Sequence, residues 1–384
     1  MLVTSVGGGI LLASSFLAIV SHFLLDFLVS FFNPLVPYMI DRFSIQVRVI
    51  TSFLTLSAAI ASLLQIVFGY VFDRVRNKKV ALSIVYFTQG IGISLLGFST
   101  NFWMALMSIF LVRIANSAFH PLGAAIAGER SGSDVAFFSI AGTLGAAFGP
   151  IFITMYVSRF GGIAHLWLLG LVFVLLGILI RKVPTTMGTG LKERGRLREL
   201  FVLLPILAVV TVRSFATSIV HTFTPVLITR VHGYSIKLSG LALTLGMLVG
   251  AVSNYVGVLL LRKIGAKRQD LVAFAGMSLS SLLLVLWSDF RVLIFSFLVF
   301  DFCAFLLMSA NVVQAQEMLP HRKALASSVA MGFAWAIGDF LASGYSALLG
   351  NNVKLAIGLV SPISLLAGLY FGVFGRFGEW YNKV

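Results

Sequence analysis

Twelve stretches of this chain are long enough and apolar enough to cross a bilayer, and that leaves it few ways to fold. They run roughly over 10–38, 47–71, 79–98, 102–127, 134–157, 163–181, 201–229, 237–261, 270–288, 291–315, 324–349 and 353–376. A spanning helix needs about 20 mostly apolar residues. Lipid offers no partner to a bare N–H or C=O, so each run is predicted to close its hydrogen bonds internally as a helix. The alternation of a spanning β-strand is absent. Hydrophobic residues make up 59% of the chain and charged ones 11%, against about 25% charged in soluble domains. An all-α integral membrane protein of twelve transmembrane helices is the fold class this predicts.

The formal net charge is +15. On a soluble protein that excess would point to nucleic acid. Here most of the 28 Lys and Arg residues fall in loops that share one side if both termini face the cytoplasm. The positive-inside bias therefore predicts a multi-pass protein of the inner or plasma membrane, with cytoplasmic N- and C-termini and no nucleic-acid partner. The start of the chain lacks a basic n-region and a small-residue cleavage site, so residues 10–38 read as a retained helix. Cys303, the single cysteine, sits in an apolar run and reads as a small buried filler.

The chain also repeats. Pro37–Arg42 returns as Pro225–Arg230, Gly69-x3-Asp73-Arg74 as Gly257-x3-Leu261-Arg262, and Glu129 as Glu317, all at an offset of 188. Three landmarks in one register predict two six-helix bundles in tandem, an architecture known among secondary transporters. The predicted units are 1–181 and 201–384. A polar, basic linker over 182–200 joins them on the cytoplasmic side.

The loop after the second run reads Gly69-Tyr-Val-Phe-Asp73-Arg74-Val-Arg76-Asn-Lys78-Lys79. It resembles the G-x3-D-R-x-G-R-[RK] signature of the major facilitator superfamily, with Arg76 where that family has Gly. His22-Phe23-Leu-Leu-Asp26, Pro34-Leu-Val-Pro37 and Ala118-Phe-His-Pro-Leu-Gly-Ala124 look like the fosmidomycin-resistance group of drug exporters within it. Leu122 stands where that group commonly has an acid. Gly145-x3-Gly149-Pro150 on the fifth run is similar to an exporter-type motif, without its last two glycines; ordinary small-residue packing is the plainer reading. The resemblance implies alternating access, a small-molecule substrate bound near the midplane between the bundles, and a cytoplasmic gating loop formed by Gly69, Asp73, Arg74, Lys78 and Lys79. A monomer is the default for the fold.

Ionisable side chains inside apolar runs are expensive, by a few kcal/mol each even on the lenient scale, and mark function by default. Asp26, Arg113, Arg213, Asp301 and Asp339 are such residues. His22 and Asp26 are spaced i, i+4, with Asn33 extending their stripe. Arg113, Asn116 and His120 are i, i+3, i+7, and Arg213, Thr217 and His221 are i, i+4, i+8. Three polar stripes on apolar helices read as walls of an aqueous pathway. Asp26 is the leading candidate proton carrier, with His22 as relay and Asp301 next; a fixed ion pair at Asp26 is the competing reading. Arg113 and Arg213 suit an anionic group bound bidentately, or else each neutralises a nearby Asp. Asn33, Asn116, His120, His221, Phe119 and Trp335 complete the candidate substrate contacts.

No nucleotide loop, nucleophile elbow or zinc-type ligand spacing occurs in the sequence, so no ATP engine, enzyme activity, cofactor or metal is expected. The leading prediction is proton-coupled efflux of a small anionic or amphipathic compound. A facilitator or proton symporter importing an organic anion is the alternative, and a non-transport sensor the third. Substrate identity, direction and stoichiometry stay open.

Overall fold

A computed structural model describes residues 2–72, 75, 77–128, 132–180, 201–320, 326–327 and 329–374. Among these, every regular element is helical. The chain runs through α1 (Leu2–Val29), α2 (Phe32–Phe43), α3 (Val47–Phe72), α4 (Lys78–Gly97), α5 (Phe102–Gly128), α6 (Gly132–Phe160) and α7 (Trp167–Leu179). It continues through α8 (Leu204–Val226), α9 (Ile236–Leu286), α10 (Phe290–Met318), α11 (Ala334–Leu349), α12 (Val353–Gly358) and α13 (Val360–Phe374). A π-helical turn extends α8 over Leu227–Val231, and another, Val329–Phe333, precedes α11.

Nine described helices are long and apolar enough to cross a membrane, and Ala164–Leu179 is a shorter apolar one. The difference from twelve has local causes. The eighth and ninth runs are merged into α9, whose 51 residues exceed any bilayer; it turns at Gly265, where φ is +77° and ψ 167°. That region is open essentially to Gly alone, so this residue lets two spans follow with almost no loop. The eleventh run is split by its π turn, and residues 321–325 and 328 at its start lie outside the described residues.

Large apolar side chains face outward over much of the surface, among them Leu348 at 84% exposure and Trp103 at 77%. A lipid-facing surface requires this, and a water-facing one would not tolerate it on such a scale. Helix contacts are correspondingly made by small residues, since lipid removes the hydrophobic drive between helices. A Cβ at Gly145 of α6 would overlap the Phe23 carbonyl of α1, and one at Gly149 would overlap Ser30. Gly90 of α4 faces Gly170 of α7 in the same way. Gln269, fully buried, donates to the carbonyls of Gly257 at 2.7 Å and Leu306 at 3.0 Å, which ties both arms of α9 to α10.

Two compact units emerge. One comprises Met1–Phe32 and Leu63–Glu193, the other Asn33–Ser62 and Arg194–Val384. The sequence places residues 33–62 in the first bundle; by packing they belong with the second half. Arg230 pairs with Asp41, and Ser343 donates to the Ser52 carbonyl at 3.0 Å. Asn351 accepts from the Arg48 amide at 3.2 Å and donates to Gln46 at 3.2 Å. The change of unit falls beside the break at Ser30–Phe31 that separates α1 from α2. The predicted linker 182–200 lies outside the described residues.

Candidate functional site

In the first unit, α1, α5 and α6 converge on Asp26. The stretch of α1 around it is uninterrupted by Gly or Pro, and the i, i+4 spacing sets His22 beside Asp26, with Nε2 3.2 Å from Oδ2. From α5, Asn116 Nδ2 donates to Asp26 Oδ1 at 2.6 Å, and His120 Nε2 lies 3.5 Å from the same oxygen. From α6, the Phe138 carbonyl accepts from His22 Nδ1 at 2.7 Å, and its ring stacks on the imidazole at 3.9 Å. Glycine makes this approach possible: a Cβ at Gly142 would lie 2.7 Å from Asp26 Oδ2 and overlap His22.

A carbonyl oxygen only accepts, so His22 Nδ1 carries the proton of that bond. In the neutral ring Nε2 then presents its lone pair. It is buried and has no hydrogen-bond partner, although a carboxylate oxygen is near. The donor atoms of His22, Asp26 and His120 all lie within 4.8 Å of one another. These three are the described residues whose ligand atoms could together hold a metal ion.

Phe119 is fully buried beside His22, with ring centroids 6.0 Å apart. Arg113 is half-buried, its guanidinium carbon 5.9 Å from the Phe32 ring. Asn33 lies beyond the Ser30–Phe31 break and clusters with the other unit. Gly145 and Gly149 serve the α1–α6 contact, and Pro150 lies inside α6, where its carbonyl accepts from Thr154 at 2.9 Å. Of the expected gating loop, Asp73 and Arg74 lie outside the described residues. Gly69 ends near Pro121, and Lys78 and Lys79 open α4 behind an Asn77 cap that accepts from the Val80 amide at 3.3 Å.

The second unit holds two further groups, both anchored on α8. Arg213 is 1% exposed, and its guanidinium carbon sits 4.5 Å over the Trp335 ring. Its Nε and Nη1 have no hydrogen-bond partner among the described residues. Asp339 of α11 acts on the guanidinium electrostatically, without a hydrogen bond to these two nitrogens. Close α8–α11 contact brings the ring there, since a Cβ at Gly338 would lie 2.7 Å from the Thr211 carbonyl. One turn on, Ser218 donates to Asp339.

His221, two turns along α8 from Arg213, reaches α10, where its Nε2 is 2.6 Å from Asp301 Oδ1. Asp301 is fully buried, and its Oδ2 finds no hydrogen-bond partner among the described residues. Gly246 of α9 covers that oxygen so closely that a Cβ would overlap it, and Phe297 flanks His221 at 5.4 Å. The sequence assigns His221 to substrate; the geometry joins it to Asp301. Sequence reasoning did not find the pairing, nor the approach of His120 to Asp26. The spacing Gly142-x2-Gly145-x3-Gly149 was a readable sign that α6 closes on another helix.

The comparisons with known proteins agree with the helical architecture. The Major Facilitator Superfamily signature matches residues 18–343. The chain is 26% identical over 346 residues to the "Fosmidomycin resistance protein" of Escherichia coli (strain K12), covering 83% of this chain and 82% of that one. It is 22% identical over 338 residues to the "Uncharacterized MFS-type transporter YfnC" of Bacillus subtilis (strain 168), covering 81% of each. A solved structure of a POT family transporter in complex with 5-aminolevulinic acid superposes with a TM-score of 0.77 at 13% identity, over 97% of this chain and 96% of that one. With the family signature spanning most of its length, the chain belongs to the Major Facilitator Superfamily.

Proposed function

We propose that this membrane transporter exports a small anionic compound with an apolar or aromatic part, in exchange for protons. The observation that carries the reading is Arg213, a buried guanidinium stacked on Trp335 with two nitrogens unfilled. An oxyanion would supply the missing acceptors bidentately, as a phosphonate, phosphate ester or carboxylate can. Trp335 would meet an apolar portion of the same molecule. The relative named for fosmidomycin resistance supports a small drug-like anion moving outward.

The proton is assigned to His221–Asp301. Asp26 already has Asn116, His22 and His120 around its oxygens. Asp301 has one partner and a second oxygen with none. The groups facing it are His221 of α8, Gly246 of α9 and Phe297 on its own helix. A buried carboxylate whose one hydrogen-bond partner is an imidazole offers a transported proton a place to sit, and its gain or loss changes the charge buried between α8 and α10. Coupling then amounts to alternation between a protonated His–Asp pair and an anion-loaded Arg213.

Purified protein in liposomes with an internal pH dye tests this, with fosmidomycin as the probe. Addition of the drug should drive proton movement in wild type. Asp301→Asn should retain fosmidomycin binding and lose the proton signal. Drug movement with no proton signal in wild type would favour the facilitator reading. No binding of fosmidomycin or of simple phosphonates would reject the anion assignment.

A further inference from the structure

We infer that His22, Asp26 and His120 form a binding site for one divalent transition-metal ion of the zinc class, with one coordination position left open. No ligand spacing along the chain hints at it, because the two imidazoles come from different helices. Four observations carry it.

The first is spacing. Zinc bonds of about 2.0–2.1 Å place tetrahedral ligand atoms about 3.3 Å apart. His22 Nε2 lies 3.2 Å from Asp26 Oδ2 and His120 Nε2 lies 3.5 Å from Oδ1, so the carboxylate would have to span the ion with both oxygens. The third edge closes within 4.8 Å.

The second is orientation. His22 Nε2 is buried and has no hydrogen-bond partner despite its proximity to the carboxylate. With its Nδ1 proton held by the Phe138 carbonyl, the neutral ring turns the Nε2 lone pair toward the carboxylate, where an ion could take both.

The third is the supporting layer. Metal-binding imidazoles characteristically donate their other N–H to a carbonyl or carboxylate, and ligating carboxylates are themselves hydrogen-bonded. His22 Nδ1 donates to the Phe138 carbonyl at 2.7 Å, and Asn116 donates to Asp26 at 2.6 Å. Phe138 stacks on the His22 ring and Gly142 leaves room for it, which fixes the imidazole in place.

The fourth is access. The His120 and Asp26 side chains are 28% and 19% exposed, whereas His22 is 7%. A fourth ligand can therefore reach the ion from the His120 side. Two imidazoles and one carboxylate favour zinc-class ions over magnesium or calcium, which take oxygen ligands.

Isothermal titration of Zn²⁺ into the purified, tag-free protein in lipid nanodiscs tests this, with Mg²⁺ titrated in parallel. One Zn²⁺ per chain and no Mg²⁺ at the same concentrations is the expected result. His120→Ala removes a partly exposed ligand and should weaken Zn²⁺ binding at least about tenfold. Asp26→Asn, nearly isosteric, should do the same, and Asp301→Asn should change nothing. Absence of Zn²⁺ binding in wild type, equal Mg²⁺ binding, or Zn²⁺ binding unaltered in both His120→Ala and Asp26→Asn would overturn the assignment. This site does not depend on the proton and anion roles given to the second unit, and loss of either leaves the other testable.

Discussion

His221 Nε2 lies 2.6 Å from Asp301 Oδ1, and no other described polar group reaches the carboxylate. The two residues stand 80 positions apart, on α8 and α10.

Breaking that pair from one side should be worse than removing both partners. His221→Ala leaves a buried carboxylate alone and is expected to destabilise the protein by about 3–5 kcal/mol. His221→Ala with Asp301→Asn should recover most of that loss. Thermal denaturation in detergent across the double-mutant cycle measures it; additive losses would mean that the pair is not coupled.

Arg213→Lys keeps a positive charge but loses the planar fork and its stacking. Loss of a charge-assisted hydrogen bond, about 1.5–3 kcal/mol, should raise the half-saturating fosmidomycin concentration about tenfold or more. Trp335→Ala should weaken binding through the lost cation–π contact, and Trp335→Phe should do so less. Equilibrium binding to purified protein reads both.

The glycines divide by their surroundings. Gly145→Ala would drive a methyl into the Phe23 carbonyl, and overpacking of this kind costs about 1–3 kcal/mol. A methyl added at Gly344 of α11 would meet nothing within 4 Å, so Gly344→Ala should leave the melting temperature unchanged or raise it. Gly265→Ala should lower it, because φ at +77° strains any other residue. Melting temperatures of the three variants test the ordering.

His232 lies just beyond the span that ends at Val231. Partial burial, reinforced by the Lys354 ammonium, holds its imidazole below the ordinary value. The folded protein then binds fewer protons here than the unfolded chain as pH falls through about 6.5, so stability drops on the acid side. His232→Gln should lose less stability than wild type between neutral and mildly acidic pH, read as the difference in melting temperature.

Helix existence was legible because spanning lipid demands long apolar runs, and the runs are helical over most of their described residues. The i, i+4 pairing of His22 with Asp26 was legible for the same local reason. What stayed hidden depends on how one helix is rotated against another. A polar stripe shows which face of a helix is special, but not which neighbouring helix that face meets. His120 reaches Asp26 across the α5–α1 contact and His221 reaches Asp301 across the α8–α10 contact, while Gly142 and Gly246 leave room beside each carboxylate. The break at Ser30–Phe31 was equally silent, since neither residue is a helix breaker by type. Pro34 and Pro37 just beyond it were the visible trace of irregular backbone.

Residues 33–62 pack with the second unit, so a cut between the halves of the sequence would divide contacts made within that unit. A chain severed in the segment 182–200 would yield a C-terminal fragment without the Asp41 partner of Arg230, the Gln46 and Arg48 contacts of Asn351, and the Ser52 carbonyl that Ser343 bonds. Such a fragment should therefore be less stable made alone than when co-expressed with the upstream part of the chain.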